Sequence, residues 1–337
     1  MKRRALSFGA ALACAVCLLP SCSRRAVVAA GESDDLVIVA DPEVTPAALD
    51  SLTALVQTKV SWLLGEPAFK PTVATVSGAR DLLHRRHVVL LGVWGAGSVP
   101  DLARKRIGKL DEGAPARFRI EEDVWADGQI VGLLFGRDEQ ELLAHMTAHR
   151  REILDALDAA AARRLARTLA SDRAAAAAAR EIERRYGWSV TPPTGYDLIT
   201  SAADEGFVFL RRTQPDRNLF VWWRDGDQDV VSEQFAVTMR QDLTKRYYDG
   251  DEIERRRPYE VAAVAFAGRP AIRISGWWAN EALLGGGPFR LHCFAVPDQG
   301  RVYIVDESLF APGMDKVPLM RNLDALAHTF AAGGAAE

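Results

Sequence analysis

Apolar residues follow three patterns in turn along this chain. In the first, short all-apolar runs alternate with stretches whose apolar residues recur at three and four. Leu36-Val37-Ile38-Val39-Ala40, closed by Asp41-Pro42, predicts a buried strand. Thr45-Pro46 then opens a helix, with Thr45 as N-cap and Pro46 in the first turn, carried by Leu49, Leu52, Leu55, Val56, Val60 and Leu63. Strands are predicted at 69–76, 87–93, 116–121 and 129–135, and helices at 78–84 and 100–107. Strands alternating with helices imply an α/β layered domain over residues 35–137.

The second pattern is helical and runs from Asp138 to about Tyr186. It predicts a long, Ala-rich linking helix over 138–187, roughly 70 Å if unbroken. That length exceeds one small domain, so a bridge or a kink is expected. Ser171-Asp172 is the best place for a break, because both residues cap helices well. The third pattern begins after Gly187 and Pro192-Pro193. Strands are predicted at 196–201, 206–212, 219–224, 259–266, 271–279, 289–296 and 301–306, with helices at 232–247 and 316–330. This is an antiparallel sheet packed with two helices, expected on one face of it, and forms an α+β domain over 188–332. The fold class of the whole chain is therefore α+β.

The first residues stand apart from all three patterns. Lys2, Arg3 and Arg4 precede an uncharged apolar stretch from Ala5 to Leu19, too short to span a bilayer. The stretch ends Leu19-Pro20-Ser21-Cys22, which resembles the lipobox of bacterial lipoproteins, although Pro20 is a less usual occupant of its position. The resemblance implies a signal peptide over 1–21, a diacylglycerol thioether on Cys22, and a tether over 22–34. Cleavage near Ala29 or Ala30 in an ordinary secreted protein is the competing reading, and Cys14 and Cys17 are weaker lipidation sites. Ser23 rather than Asp follows the cysteine, which resembles outer-membrane sorting. The expected location is the cell envelope, at the outer membrane, facing the periplasm or the cell surface.

Composition narrows the partners. Of 337 residues, 48% are hydrophobic and 26% charged, which argues for a folded protein with a sizeable core. The net charge is −3, and it becomes −6 once Lys2, Arg3 and Arg4 leave, so nucleic acid is not an expected partner. Cys293 would be the one thiol remaining beside a lipidated Cys22, which rules out an internal disulfide. Its strand-like flanks predict a buried, inert group.

Candidate chemistry is sparse. The glycine-rich stretch 91–100 lies between a strand and a helix, where free N–H groups can bind phosphate. Pro100 stands where the dinucleotide fingerprint needs its third glycine, and no Gly-Lys-Ser/Thr is present, so no nucleotide is expected. His145 and His149 share a helix face at ligand spacing, but Met146 replaces the glutamate of the zinc-protease motif and no third ligand is evident. Neither a metal nor a cofactor is expected. No Gly-x-Ser-x-Gly elbow occurs. Glu121-Glu122-Asp123 reads as a solvated turn. Trp222-Trp223 and Trp277-Trp278 each place one ring on either face of a strand, so all four are candidates for an aromatic binding patch, or for core if that face is covered.

Several short motifs carry a wider resemblance. These are Gly276-Trp277-Trp278, Gly286-Gly287-Pro288-Phe289, Phe310-Ala311-Pro312-Gly313 and Arg321, with Tyr186-Gly187-Trp188 and Asp123-Val124-Trp125-Ala126 upstream. Together they resemble an uncharacterised domain-of-unknown-function family of envelope lipoproteins from Bacteroidetes-type bacteria. That resemblance implies no catalytic residue. Residues 188–330 are also similar, as a weak fold analogy, to small sandwiches of the PsbP/Mog1 type. The expected role is a membrane-anchored binding or assembly module with an envelope protein or glycan partner, and the reading leans against an enzyme. The alternatives are an envelope hydrolase with dispersed catalytic residues, or a lipid-carrying module.

Overall fold

Three strands of the N-terminal half are apolar on both sides and must be covered on both. They are β1 (Asp35–Ala40), β3 (His87–Val93) and β5 (Ile130–Gly136), and they pair in parallel at the centre of a five-stranded sheet. A parallel edge strand β2 (Lys70–Ala74) and an antiparallel edge strand β4 (Arg117–Glu122) complete the order β2-β1-β3-β5-β4. Leu36, Ile38, Leu91 and Leu134 face α1 (Pro46–Val56), α3 (Glu139–Ala148) and α4 (Arg150–Ser171). Val37, Val39, Leu90 and Val131 face α2 (Val99–Ile107). The structure is a computed structural model and describes residues 27–333 apart from 109 and 249. Cys22 and the signal segment 1–21 lie outside the described residues.

Three local expectations differ from the structure. The 78–84 segment makes a single turn, with one Leu83 N–H to Ala79 carbonyl bond, before the buried Gln129 takes over the carbonyls of Leu83 and Arg85 at 2.6 and 2.8 Å. The first helix stops at Val56, and Val60 and Leu63 lie beyond it in a short hairpin and a 3-10 turn. The last part of the tether region is docked. The Asp127 N–H donates to the Val27 carbonyl at 2.7 Å, Ala29 donates back to Asp127 at 2.9 Å, and Arg86 donates to Ala30 at 2.9 Å. From Val27 onward the chain is part of the folded body.

The long helical stretch divides into α3, α4 and α5 (Arg173–Tyr186). Asp172 leaves helical geometry at ψ 116° and caps α5, accepting from the N–H groups of Ala174 and Ala175. A second break falls at His149. Gly187, at φ 77°, ends α5 in the left-handed region that glycine adopts at least cost.

The C-terminal half is an eight-stranded antiparallel sheet. Its main strands are β6 (Asp197–Ile199), β7 (Phe207–Arg212), β8 (Asp216–Asp225), β9 (Glu260–Phe266), β10 (Arg269–Asn280), β11 (Gly285–Val296) and β12 (Arg301–Phe310). They run in the order β10-β11-β12-β8-β7-β6, with β9 and a two-residue piece at Glu252–Ile253 also pairing β10. The strands carry apolar residues at odd and even positions alike, so both faces need cover. Helix α6 (Glu233–Tyr247) packs over Phe220, Trp222, Phe289, Leu291 and Ile304. Helix α7 (Val317–Ala327), with α5, covers the opposite face over Val208, Val221, Phe294 and Tyr303. The two helices therefore lie on opposite faces, not together on one.

The halves are packed against each other. Trp62 and Leu63 bury against Leu309, Val317 and Met320. Trp277 Nε1 donates to the Trp62 carbonyl at 2.6 Å. Glu66 accepts from the N–H groups of Lys316 and Val317 at 2.6 and 3.0 Å and so caps α7 from the other half.

Candidate functional site

A cavity of about 380 Å³ lies where α4, α7 and the Trp62 turn meet the sheet. Strand register builds its floor. Side chains in phase with Phe294 and Tyr303 face α7, and this set includes Arg273 of β10, Arg290 and His292 of β11, and Glu307 of β12. Arg273 sits opposite His292, and Arg290 sits between Ser275 and Glu307. Helix α7 adds Arg321 and Asp324, with His328 just past its end, and α4 adds Asp158 and Arg164.

Most of these charges are already engaged. Arg290 Nη1 donates to Asp324 Oδ1 at 2.8 Å, and its guanidinium lies over the Trp62 ring at 4.8 Å. Burial works against ionising Asp324, but the neighbouring Arg290, His328 and His292 together outweigh it and hold the carboxylate below its usual range. Arg321 grips Asp158 and the Ser33 carbonyl, and stacks over Phe69 at 4.1 Å. His328 Nδ1 is bonded to the Asp324 carbonyl at 2.7 Å. His292 lies flat on Phe266 at 4.2 Å, and burial pushes its basicity well down. Glu307 is fully buried with neither carboxyl oxygen partnered, 3.9 Å from His292 Nδ1, and burial keeps it protonated well above the usual carboxylate range.

Two arginines remain. Arg164 is 5% exposed, its Nε has no acceptor, and it has no carboxylate within ion-pairing distance among the described residues. Burial, with Arg86 and Arg167 nearby, lowers its pKa to about 10. Arg273 is half-buried and likewise unpaired among the described residues, with its pKa depressed by burial and by Arg290. Cations taken from water without a counter-ion are costly.

The residues singled out from sequence lie elsewhere. The four tryptophans do not form one surface. Trp222 and Trp278 face α6 and Trp223 faces α5, while Trp277 meets the N-terminal half. The pairs stand on β8 and β10, which β11 and β12 separate by roughly 14 Å. Trp222, Trp277 and Trp278 are buried, and Trp223 packs on Tyr186 and Trp188. Cys293 is fully buried, and burial pushes its thiol up to about 12, which leaves it unreactive. His145 accepts from the Phe118 N–H through Nε2 at 3.2 Å. Glu121 and Glu122 pair with Arg119 and Arg167.

The glycine-rich loop carries an internal anion. Asp41, at the end of β1, accepts from the Ser98 N–H at 2.6 Å, the Val99 N–H at 3.0 Å and Ser98 Oγ at 2.7 Å. Its carboxylate occupies the start of α2, where a phosphate would sit. Gly97, at φ 72°, is required, since a Cβ there would lie 2.2 Å from Asp41 Oδ2. Replacing this remote cap, Asp41→Ala, is expected to lower stability by about 1–2 kcal/mol in urea unfolding. An unchanged midpoint would show that the N–H groups are satisfied without it.

Sequence reasoning missed the cleft. Its signal was a set of charged residues inside apolar strands, Arg273, Arg290, His292 and Glu307, whose common face appears only once the register is known.

Comparison with known proteins adds one family match, over less than half of the chain, and little else. No curated protein matches the chain. A crystal structure from Bacteroides thetaiotaomicron VPI-5482 overlaps 45% of this chain at 12% identity and a TM-score of 0.29, and the chain spans 47% of that protein's length. The Saccharomyces cerevisiae Ran-binding protein Mog1p overlaps 43% of this chain and 90% of its own at 10% identity and TM-score 0.30. LpqN of Mycobacterium tuberculosis, described as involved in cell envelope biogenesis, overlaps 42% and 81% at 12% identity and TM-score 0.29. These overlaps are too loose to bear on function. Residues 175–329, from α5 through the sheet to α7, match the family model of DUF4837, a domain of unknown function, so over that segment the expected likeness to a domain-of-unknown-function family is found.

Proposed function

We propose that this protein is a lipid-anchored binding module of the cell envelope that holds a small anionic ligand, or the acidic end of a glycan or protein partner, in the cleft between its halves. The observation that carries the reading is a pair of guanidiniums lining one cavity, Arg164 and Arg273, neither with an ion-pair partner among the described residues. A guanidinium presents a planar fork of donors matched to carboxylate or phosphate. It neither offers nor takes a proton near neutral pH, so what the cleft holds in reserve suits binding more than proton transfer. A volume of about 380 Å³ falls within the range of small-molecule sites. The charged walls disfavour an acyl chain as the occupant. The lipid anchor rests on the Leu19-Pro20-Ser21-Cys22 lipobox, and Ser23 supports an outer-membrane address.

The hydrolase alternative has one observation in its favour, the unpartnered Glu307 and His292 behind the cleft floor. A thermal-shift panel of phosphate, citrate, glucuronate and glycerol phosphate tests the binding reading. At least one anion should raise the melting temperature of the wild type, and Arg273→Ala should bind it about 10- to 100-fold more weakly. Equal shifts in both proteins, or no shift with any anion, would refute it. Chemical conversion of the bound anion would put the hydrolase first.

A further inference from the structure

The point where the chain becomes part of the folded body fixes how that body meets a membrane. Val27 is held by the Asp127 N–H at 2.7 Å, and the strand continues through Ala29 and Ala30 onto Asp127 and His84. Five residue steps separate Cys22 from Val27, which reach at most about 17 Å fully extended. A lipid on Cys22 therefore leaves no room for a long stalk.

We propose that the face around Val27, Val28 and Trp125 rests on the bilayer surface. This rests on the reading of Cys22 as lipidated. Val27 and Val28 are 52% and 72% exposed, unusual for valines in bridged backbone, and Trp125 is part-exposed beside them. Arg85, Arg106 and Arg167 surround this loop. The acidic groups on the same face are largely engaged. Glu122 pairs with Arg167, Asp35 lies 4.0 Å from Arg85, and Asp123 accepts from the Gly128 N–H at 2.6 Å, while Asp127 is exposed. Arg106 is exposed and has no carboxylate partner among the described residues. Exposed apolar side chains with a partly exposed indole are the composition that settles at a membrane interface. The opposite end of the sheet, at the turn after β1, faces away. Glu43 there is exposed and lies about 20 Å from the anchored end, the length of the central strands.

The test uses the full chain, purified in its lipidated form and reconstituted into vesicles of phosphatidylcholine and phosphatidylglycerol carrying a nitroxide lipid. A fluorophore is attached at Val28→Cys or at Glu43→Cys; Cys293 is buried and does not compete. Emission from the Val28 position should be largely lost to quenching and emission from the Glu43 position retained. Mass spectrometry of the same samples reads the anchor. No added lipid mass at Cys22 overturns the anchor and the docking together. A lipidated protein with equal quenching at the two positions overturns the docking alone.

Discussion

Arg240→Ala is expected to lower the unfolding free energy by about 3–5 kcal/mol, the usual loss when one partner of a buried ion pair is removed. Arg240 of α6 and Asp306 of β12 meet at 2.8 Å with each side chain only 1% exposed, and the guanidinium lies 3.8 Å over the Phe289 ring. Truncation strands a carboxyl that burial already raises to about 6 against the pull of Arg240, and it opens a cavity under α6. The pair stands on the sheet face opposite the cleft, so the loss should be structural and leave anion binding by the folded fraction unchanged. Its energy lies in pairing, not in charge as such. A double replacement, Arg240→Met with Asp306→Leu, should recover most of the stability. Denaturant unfolding of the three variants checks both statements, and a double variant no better than Arg240→Ala would show that the pair contributes more than mutual compensation.

His87→Leu should flatten the loss of stability on acidification by about 1.4 kcal/mol per pH unit relative to the wild type, between pH 6.5 and about 3. His87 opens β3, is fully buried, and is bonded through Nδ1 to the Asp35 carbonyl at 2.8 Å. Burial, and then nearby arginines, holds its pKa at about 3 instead of 6.5, although the Asp35 bond works the other way. The unfolded chain takes up a proton across that window and the folded chain does not. The stabilisation is complete above pH 6.5 and is lost as the pH falls. Asp306 has the opposite sign, because its folded pKa near 6 lets the native state gain protons first. The informative quantity is thus the difference between wild type and variant, measured by urea unfolding at pH 7, 5 and 4. Parallel curves would mean that His87 protonates in place without cost.

Much of the fold was legible because local chemistry and tertiary packing agree. Ser232 caps α6 through the Phe235 N–H, and Asp172 caps α5, as such residues do at helix starts. The apolar runs of β1, β3 and β5 announced strands covered on both sides. What stayed hidden depends on contacts distant in sequence. Nothing in the neighbourhood of Ser98 reveals that Asp41 will cap its helix, 57 residues earlier. The faces covered by α6 and α7 follow from strand register, which alternation alone leaves open by one residue. The cleft needed more still. Arg273, Arg290 and Glu307 become neighbours only through the pairing of β10, β11 and β12, and Arg164 reaches the same cavity from another half of the chain. The tryptophans are conspicuous in sequence, yet large aromatic rings on a two-sided sheet are mostly consumed as core.

The most direct measurement on the central claim is native mass spectrometry of the protein purified gently from its own envelope, beside the Arg164→Ala, Arg273→Ala double variant. The cleft reading predicts one small anionic molecule retained by the wild type and absent from a folded double variant. A wild type that is empty under all gentle conditions, or a double variant carrying the same mass, would contradict it.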